Sequence, residues 1–318
     1  MNNIEQTLLL LAKKINPNFS RIEKLQQSGS SRQYFRILME KGEKEKRRKG
    51  ERRTEQETII GVFNEDVKEN NAFFSFTNFF LSQKINVPKI ITVDETKQYY
   101  FLEDLGDETL FTFLTGERAN GRTDESVISY YQKVLQQLPL LQLSGKKGID
   151  FSVCYPRAAF DKQSMLWDLN YFKYYFLKLA NIPFDEQLLE DDFHCFINFL
   201  LEADSDYFMF RDFQSRNIML HNGEPYFIDY QGGRKGALQY DVASLLFDGK
   251  ADLPPEMREE LLEYYLEQLQ KAESRKQKAE GTKSPPLAGV GGWKEFAKDS
   301  FYKYYYGFVL IRILQALG

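Results

Sequence analysis

Along the first hundred residues, apolar positions mostly alternate with polar ones; beyond them they recur at helical spacing. Met1 to Asn16 carries Leu8 to Leu11 after a polar start, which predicts a short amphipathic helix. "RIEKLQQSGSSRQYFRILME" alternates on both sides of Ser28, Gly29, Ser30 and Ser31 and predicts a hairpin with a small-residue turn. "ETIIGVF", "VPKIITVD" and "QYYFLEDLG" predict three further strands. Between the first two of these, "VKENNAFFSFTNFFLSQK" sets six large apolar side chains on one helical face.

From Glu108 the pattern turns helical in "VISYYQKVLQQLPLLQL", "SMLWDLNYFKYYFLKLA" and "LLEDDFHCFINFLLEA". One stretch interrupts it. In "FRDFQSRNIMLHNGEPYFIDYQ" the runs "NIML" and "YFID" predict two short strands, and the Asn222-Gly223 pair between them predicts a hairpin turn. Helical patterns return in "DVASLLF", "PEMREELLEYYLEQLQKAES" and "FAKDSFYKYYYGFVLIRILQAL". The expected architecture is α+β and bilobal: a small β-rich N-lobe over residues 1–105 and a larger helical C-lobe over 106–318 that holds a single small hairpin.

Composition narrows the class. With 318 residues and 42% hydrophobic content the chain can bury a sizeable core. Its apolar runs stop short of the roughly 20 residues that span a bilayer, and "MNNIEQTLLL" lacks the basic start of a secretory signal. A cytoplasmic protein without a membrane partner is therefore expected. Cys154, Cys195, His194 and His221 are too few and too scattered for a disulfide framework or a zinc site. Net charge is −4, yet Lys41 to Glu57 holds eight Lys/Arg against five Glu, and Lys271 to Ser284 holds five against two. Neither run interleaves aromatics with its charges, so both read as solvated insertions, spanning 41–57 and 271–292, and no nucleic-acid partner is expected. The end at "FVLIRILQALG", within or just past an apolar helix, suits a domain of a longer protein.

Candidate chemistry lies in the interrupting stretch. Taken singly, Asp212 starts an Asx turn, Asn217 caps an element and Asp229 closes a hairpin. Taken together, the turn brings Asn217 and Asp229 opposite each other, with Asp212 on the loop before them. That is the set phosphoryl transfer asks of a protein: an acceptor for the hydroxyl proton and mixed-charge oxygen ligands for Mg2+.

"FRDFQSRNIML", "YFIDYQGG" and "QYDVASLL" resemble the aminoglycoside phosphotransferase family, and most closely its branch of kinases for the cell-wall sugars N-acetylmuramate and N-acetylglucosamine. The resemblance covers most of the chain outside the two charged insertions. It implies a protein-kinase-like fold with ATP between the lobes and adenine at a hinge formed by Glu103, Asp104 and Leu105. It makes Asp212 the catalytic base, Asn217 and Asp229 the Mg2+ ligands, and Asp241 a buried brace of the catalytic loop. Ser28, Gly29, Ser30 and Ser31 correspond to the loop over the phosphates.

Two departures stand out. Phe210 occupies the place of the family's His, which keeps an aromatic filler and drops a polar brace. "ETIIGVF" has no strand lysine to hold the α- and β-phosphates, which passes that role to Arg32, Arg36 or Lys68, with Glu69 as the matching helix acid. For the acceptor, Asp161, Trp167, Asp168 and Tyr171 mix aromatic faces with carboxylates on one helix, as a sugar ring requires; the same acidic patch would suit a cationic aminoglycoside or choline. The functional expectation is an ATP- and Mg2+-dependent small-molecule kinase acting on a sugar or amino-sugar hydroxyl. A nucleotide-binding pseudokinase and an antibiotic-type phosphotransferase stand as alternatives.

Overall fold

The computed structural model describes residues 2–26, 31–39, 58–115, 124–144, 148–280 and 292–318. Helix α1 (Asn3–Ile15) begins with a reciprocal cap, in which Glu5 N–H donates to the Asn2 side chain and Asn2 N–H donates to the Glu5 carboxylate. Five antiparallel strands follow: β1 (Phe19–Lys24), β2 (Gln33–Met39), β3 (Thr58–Phe63), β4 (Ile90–Val93) and β5 (Tyr99–Glu103), in the order β1-β2-β3-β5-β4. Alternation gives the sheet two apolar faces. Phe35, Ile37, Ile59 and Phe101 pack under α1, where Gly61 lets Leu8 come close; a Cβ there would lie 3.2 Å from Leu8 and 3.0 Å from Ile37. Ile60, Val62, Tyr100 and Leu102 face α2 (Val67–Ser82), and through its phenylalanines they join the main core shared with the helical region.

Beyond the sheet lie α3 (Leu110–Thr115), α4 (Asp124–Ser144), α5 (Lys162–Phe172) and α6 (Glu186–Leu200). Two short ladders follow: β6 (Tyr207–Met209) pairs with β9 (Arg234–Gly236), and β7 (Ile218–His221) pairs with β8 (Glu224–Phe227). Helices α7 (Leu238–Leu246), α8 (Pro255–Glu280) and α9 (Gly292–Leu317) complete the region. Among the described residues no helix is long and apolar enough to cross a membrane.

The structure corrects three expectations. The helical region holds two small ladders rather than one hairpin, because three-residue strands are too short to show alternation. The expected helix over 164–180 changes to π-helical winding at Lys173–Lys178, where the buried Lys173 ammonium meets Glu186 and Glu190 at 2.6 Å each. Residues 271–280, expected as insertion, continue α8, whereas 41–57 and 281–291 lie outside the described residues.

Candidate active site

Hairpin β7–β8 turns as its sequence predicts. Asn222 and Gly223 take φ +53° and +78°, the left-handed pair that a tight hairpin needs. Ile218 then lies across from Phe227, and Ile228 N–H donates to the Asn217 carbonyl at 3.1 Å. Asn217 closes the helical turn before β7, and Asp229 follows β8 with φ +68°. The Asn217 amide nitrogen donates to the Asp212 carbonyl at 2.8 Å and to an Asp229 carboxylate oxygen at 3.3 Å. One side chain thus ties the three residues together, and among the described residues no hydrogen bond is made to its oxygen.

The loop carrying Asp212 is held from below by two buried carboxylates. Asp241, fully buried on α7, accepts the backbone N–H of Phe210 at 2.8 Å and of Arg211 at 3.1 Å. Asp248 accepts both the N–H and the hydroxyl of Ser215, at 3.1 and 2.6 Å. Arg211 is held at φ +84°, a costly backbone conformation for a residue with a Cβ. Its guanidinium forks onto Asp168 at 2.8 and 2.6 Å, donates to the Tyr240 hydroxyl at 2.8 Å and lies over the Phe160 ring. The Phe210 ring is fully buried among Phe213, Phe227 and Tyr230, so it fills space while Asp241 positions the backbone.

Burial pushes the Asp241 carboxyl up to about 7, against the two backbone donors and Gln142. The folded protein thus keeps a proton that the unfolded chain releases above about pH 4. This contribution to stability is complete below pH ~4 and is lost as pH rises through about 7. Asp241→Asn lacks it. Denaturant unfolding of both proteins from pH 4 to 8 should show the variant less stable throughout, with the gap narrowing as pH rises.

Burial also raises the Asp229 carboxyl; the Gln231 amide, donating at 2.7 Å, opposes this and the charge of Asp212 adds to it. The Gln231 amide oxygen is buried without a donor among the described residues. An under-neutralised carboxylate beside two amide oxygens fits a hard divalent cation that takes its remaining ligands from phosphate and water.

The three candidate cations separate cleanly. Arg32 is buried at the start of β2, 3.4 Å from Glu69 of α2, with its guanidinium 5.7 Å from the Phe73 ring centroid and its charge felt at Asp229. Lys68 is exposed. Arg36 is engaged elsewhere: it forks onto Asp104 at 2.6 and 3.0 Å and also reaches Asp107 and the Gly106 carbonyl, which corrects its candidacy for phosphate. Asp104 is therefore a clamp of the segment after β5. Glu103 faces Lys89 at 3.8 Å, and the Leu105 carbonyl lies 3.1 Å from His221 Nδ1. Arg36→Ala strands the half-buried Asp104 and should cost about 1–3 kcal/mol; a lowered Tm together with a raised KM for ATP checks it. Ser31 is exposed where β2 begins, and Ser28, Gly29 and Ser30 lie outside the described residues.

The expected acceptor residues fare differently. Asp161 caps α5 through Ser164 N–H at 3.0 Å and pairs with Arg157, while Asp168 is taken by Arg211. Both carboxylates serve arginines, which corrects their reading as ligands for a cationic acceptor. Trp167 and Tyr171 remain 47% and 44% exposed, the first beside Arg157 and the second against Tyr175. Sequence reasoning missed Asp248, which lies just past the end of α7, and it missed Arg211, Gln231 and Arg234.

Known proteins resemble this chain in sequence and in fold. The model of the phosphotransferase enzyme family, APH, matches residues 52–276. The N-acetylmuramate/N-acetylglucosamine kinase of Neisseria meningitidis serogroup B is 27% identical over 196 residues, or 60% of this chain; the match spans 55% of that protein's length. Among solved structures, a choline kinase from Cryptosporidium parvum Iowa II superposes with a TM-score of 0.57 at 14% identity, covering 98% of this chain and 86% of its own. The streptomycin-ATP-APH(2")-IIa ternary complex gives 0.54 at 17% identity, covering 86% and 88%. These likenesses show a protein-kinase-like fold.

Proposed function

The chain belongs to the phosphotransferase enzyme (APH) family, and on that premise we propose that it is an ATP- and Mg2+-dependent kinase for a hydroxyl of a sugar or amino sugar. The observation that carries this reading is the Asn217 amide, which joins the loop of Asp212 to the carboxylate of Asp229. Asp212 takes the proton of the acceptor hydroxyl as the hydroxyl oxygen attacks the γ-phosphorus in line, breaking its bond to the bridging oxygen and releasing ADP. Asn217 and Asp229 would hold Mg2+, which when bound would neutralise charge on the phosphates. Arg32, paired with Glu69, supplies the positive charge that a strand lysine gives other kinases. Ser28 to Ser31 are assigned to the phosphates, and the backbone of Glu103 to Leu105 to adenine. A cytoplasmic setting, where ATP is available, is part of this reading.

The sugar in the relative's name supports a sugar acceptor, and the pairing of Asp161 and Asp168 with arginines speaks against a polycation. The test is a panel of N-acetylmuramate, N-acetylglucosamine, an aminoglycoside and choline, each with MgATP, followed by ADP release and phosphorus NMR. A sugar phosphate is expected, acid-labile if the anomeric hydroxyl is the acceptor. ATP binding with no acceptor consumed would favour a regulatory nucleotide-binding module instead.

A further inference from the structure

The connection from α6 to β6, the start of α7 and the facing sides of α8 and α9 enclose a cavity of about 600 Å3, and none of Asp212, Asn217 and Asp229 lines it. Its apolar lining comes from Leu238, Leu266 and Leu269 with the Phe301 and Tyr304 rings. Its charge is one-sided: Glu202, Asp204, Glu263, Glu267 and Glu273 line it, against the single ammonium of Lys298. Lys298 pairs with Glu263, and from beyond the lining Lys303 and Lys271 reach Glu202 and Glu267 at 3.0 and 3.8 Å. Carboxylates therefore still outnumber these ammonium groups. The Lys303 ammonium holds the Glu202 carboxyl below its ordinary range, and Lys298 does the same for Glu263, so both stay charged at neutral pH.

A buried amide distinguishes this cavity from a solvated acidic surface. Gln239 of α7 lines it and is 7% exposed. Its amide nitrogen lies 3.4 Å from the Phe301 carbonyl, and among the described residues no hydrogen bond is made to its oxygen. A buried carbonyl without a donor is costly, which favours a ligand that brings an N–H group. The volume falls within the roughly 300–1,000 Å3 of small-molecule sites. Along α8 the lining runs from Glu263 to Glu273, roughly 15 Å by helical rise. A compact cation meets one end of such a wall; an extended one reaches separated carboxylates and lays methylenes on the leucines between them.

We propose that this cavity is a second binding site, separate from the Asp212 centre, and that its ligand is a linear aliphatic polyamine such as spermidine. The ammonium groups pair with Glu267 and the neighbouring carboxylates, one N–H donates to the Gln239 oxygen, and the methylene chain lies along Leu266, Leu269 and the Phe301 ring. This assignment is independent of which acceptor the Asp212 centre phosphorylates, and spermidine, which has no hydroxyl, cannot itself be that acceptor.

Calorimetric titration of the full chain tests this with spermidine, with hexamethylenediamine and with hexamethonium. The last two share a chain and a charge, but only the diamine has N–H groups. Spermidine should bind, and the diamine should bind on the order of 10-fold more tightly than hexamethonium, the worth of a hydrogen bond from a charged donor. Gln239→Leu should abolish that difference. Glu267→Lys, at an exposed position of α8, should weaken spermidine on the order of 10-fold by reversing a charge. Affinity for ATP should be unchanged in both variants, which also reports that they fold; if the leucine variant does not, the ligand pair and Glu267→Lys still decide. Hexamethonium or Mg2+ bound as tightly as the diamine would overturn the proposal, since charge alone would then explain binding. Spermidine affinity unmoved by Glu267→Lys would overturn it by placing the polyamine elsewhere on the chain. A trilysine peptide bound more tightly than spermidine would overturn it in favour of a protein segment.

Discussion

Asp212→Asn is expected to lower kcat by about 10²- to 10⁴-fold, the usual worth of a positioned general base, with affinity for ATP nearly unchanged. The substitution keeps the shape of the side chain and removes its basicity. The scaffold should survive it, because Asp212's structural contacts pass through its backbone: its carbonyl accepts from Asn217 and from Gln214 N–H. Steady-state kinetics on the acceptor found in the panel, with nucleotide titration of the same variant, separates chemistry from binding. A fall in ATP affinity equal to the fall in kcat would assign Asp212 to the metal instead.

Asp168→Ala should be the most damaging substitution for stability, at about 3–5 kcal/mol. The loss is more than two hydrogen bonds. Arg211 would stay in a largely buried pocket with its charge uncompensated, beside Arg234, while its backbone is already held at positive φ. Denaturant unfolding measures the loss, and acceptor kinetics discriminates between roles. An acceptor ligand at this position would raise KM for the sugar at unchanged stability. A loop clamp would lower stability and kcat together.

Much of the site was legible because its signals are local. Alternation and the Asn222-Gly223 pair set the hairpin register, and the register sets Asn217 against Asp229. Asp241 was recognisable as a brace from the motif around it, and both of its backbone partners lie where that reading puts them. What sequence reasoning lost was pairing at a distance. Arg36 meets Asp104 from 68 residues away, and Arg211 meets Asp168 from 43, so a carboxylate partnered in space stands on the page as a free one. For that reason Asp161 and Asp168 read as acceptor ligands. The β6–β9 ladder failed differently: three residues per strand carry no period, and its position follows from tertiary packing against the segment before α5.

The central claim is that Asp212, Asn217 and Asp229 form a working phosphoryl-transfer centre. The most direct measurement counts ADP and sugar phosphate in the same reaction, for the unaltered protein and for Asp229→Asn. One sugar phosphate for each ADP, with both products lost in the variant while the fold is retained, is the expected result. Bound nucleotide with no ADP formed from any acceptor, or an undiminished rate in the variant, would contradict it.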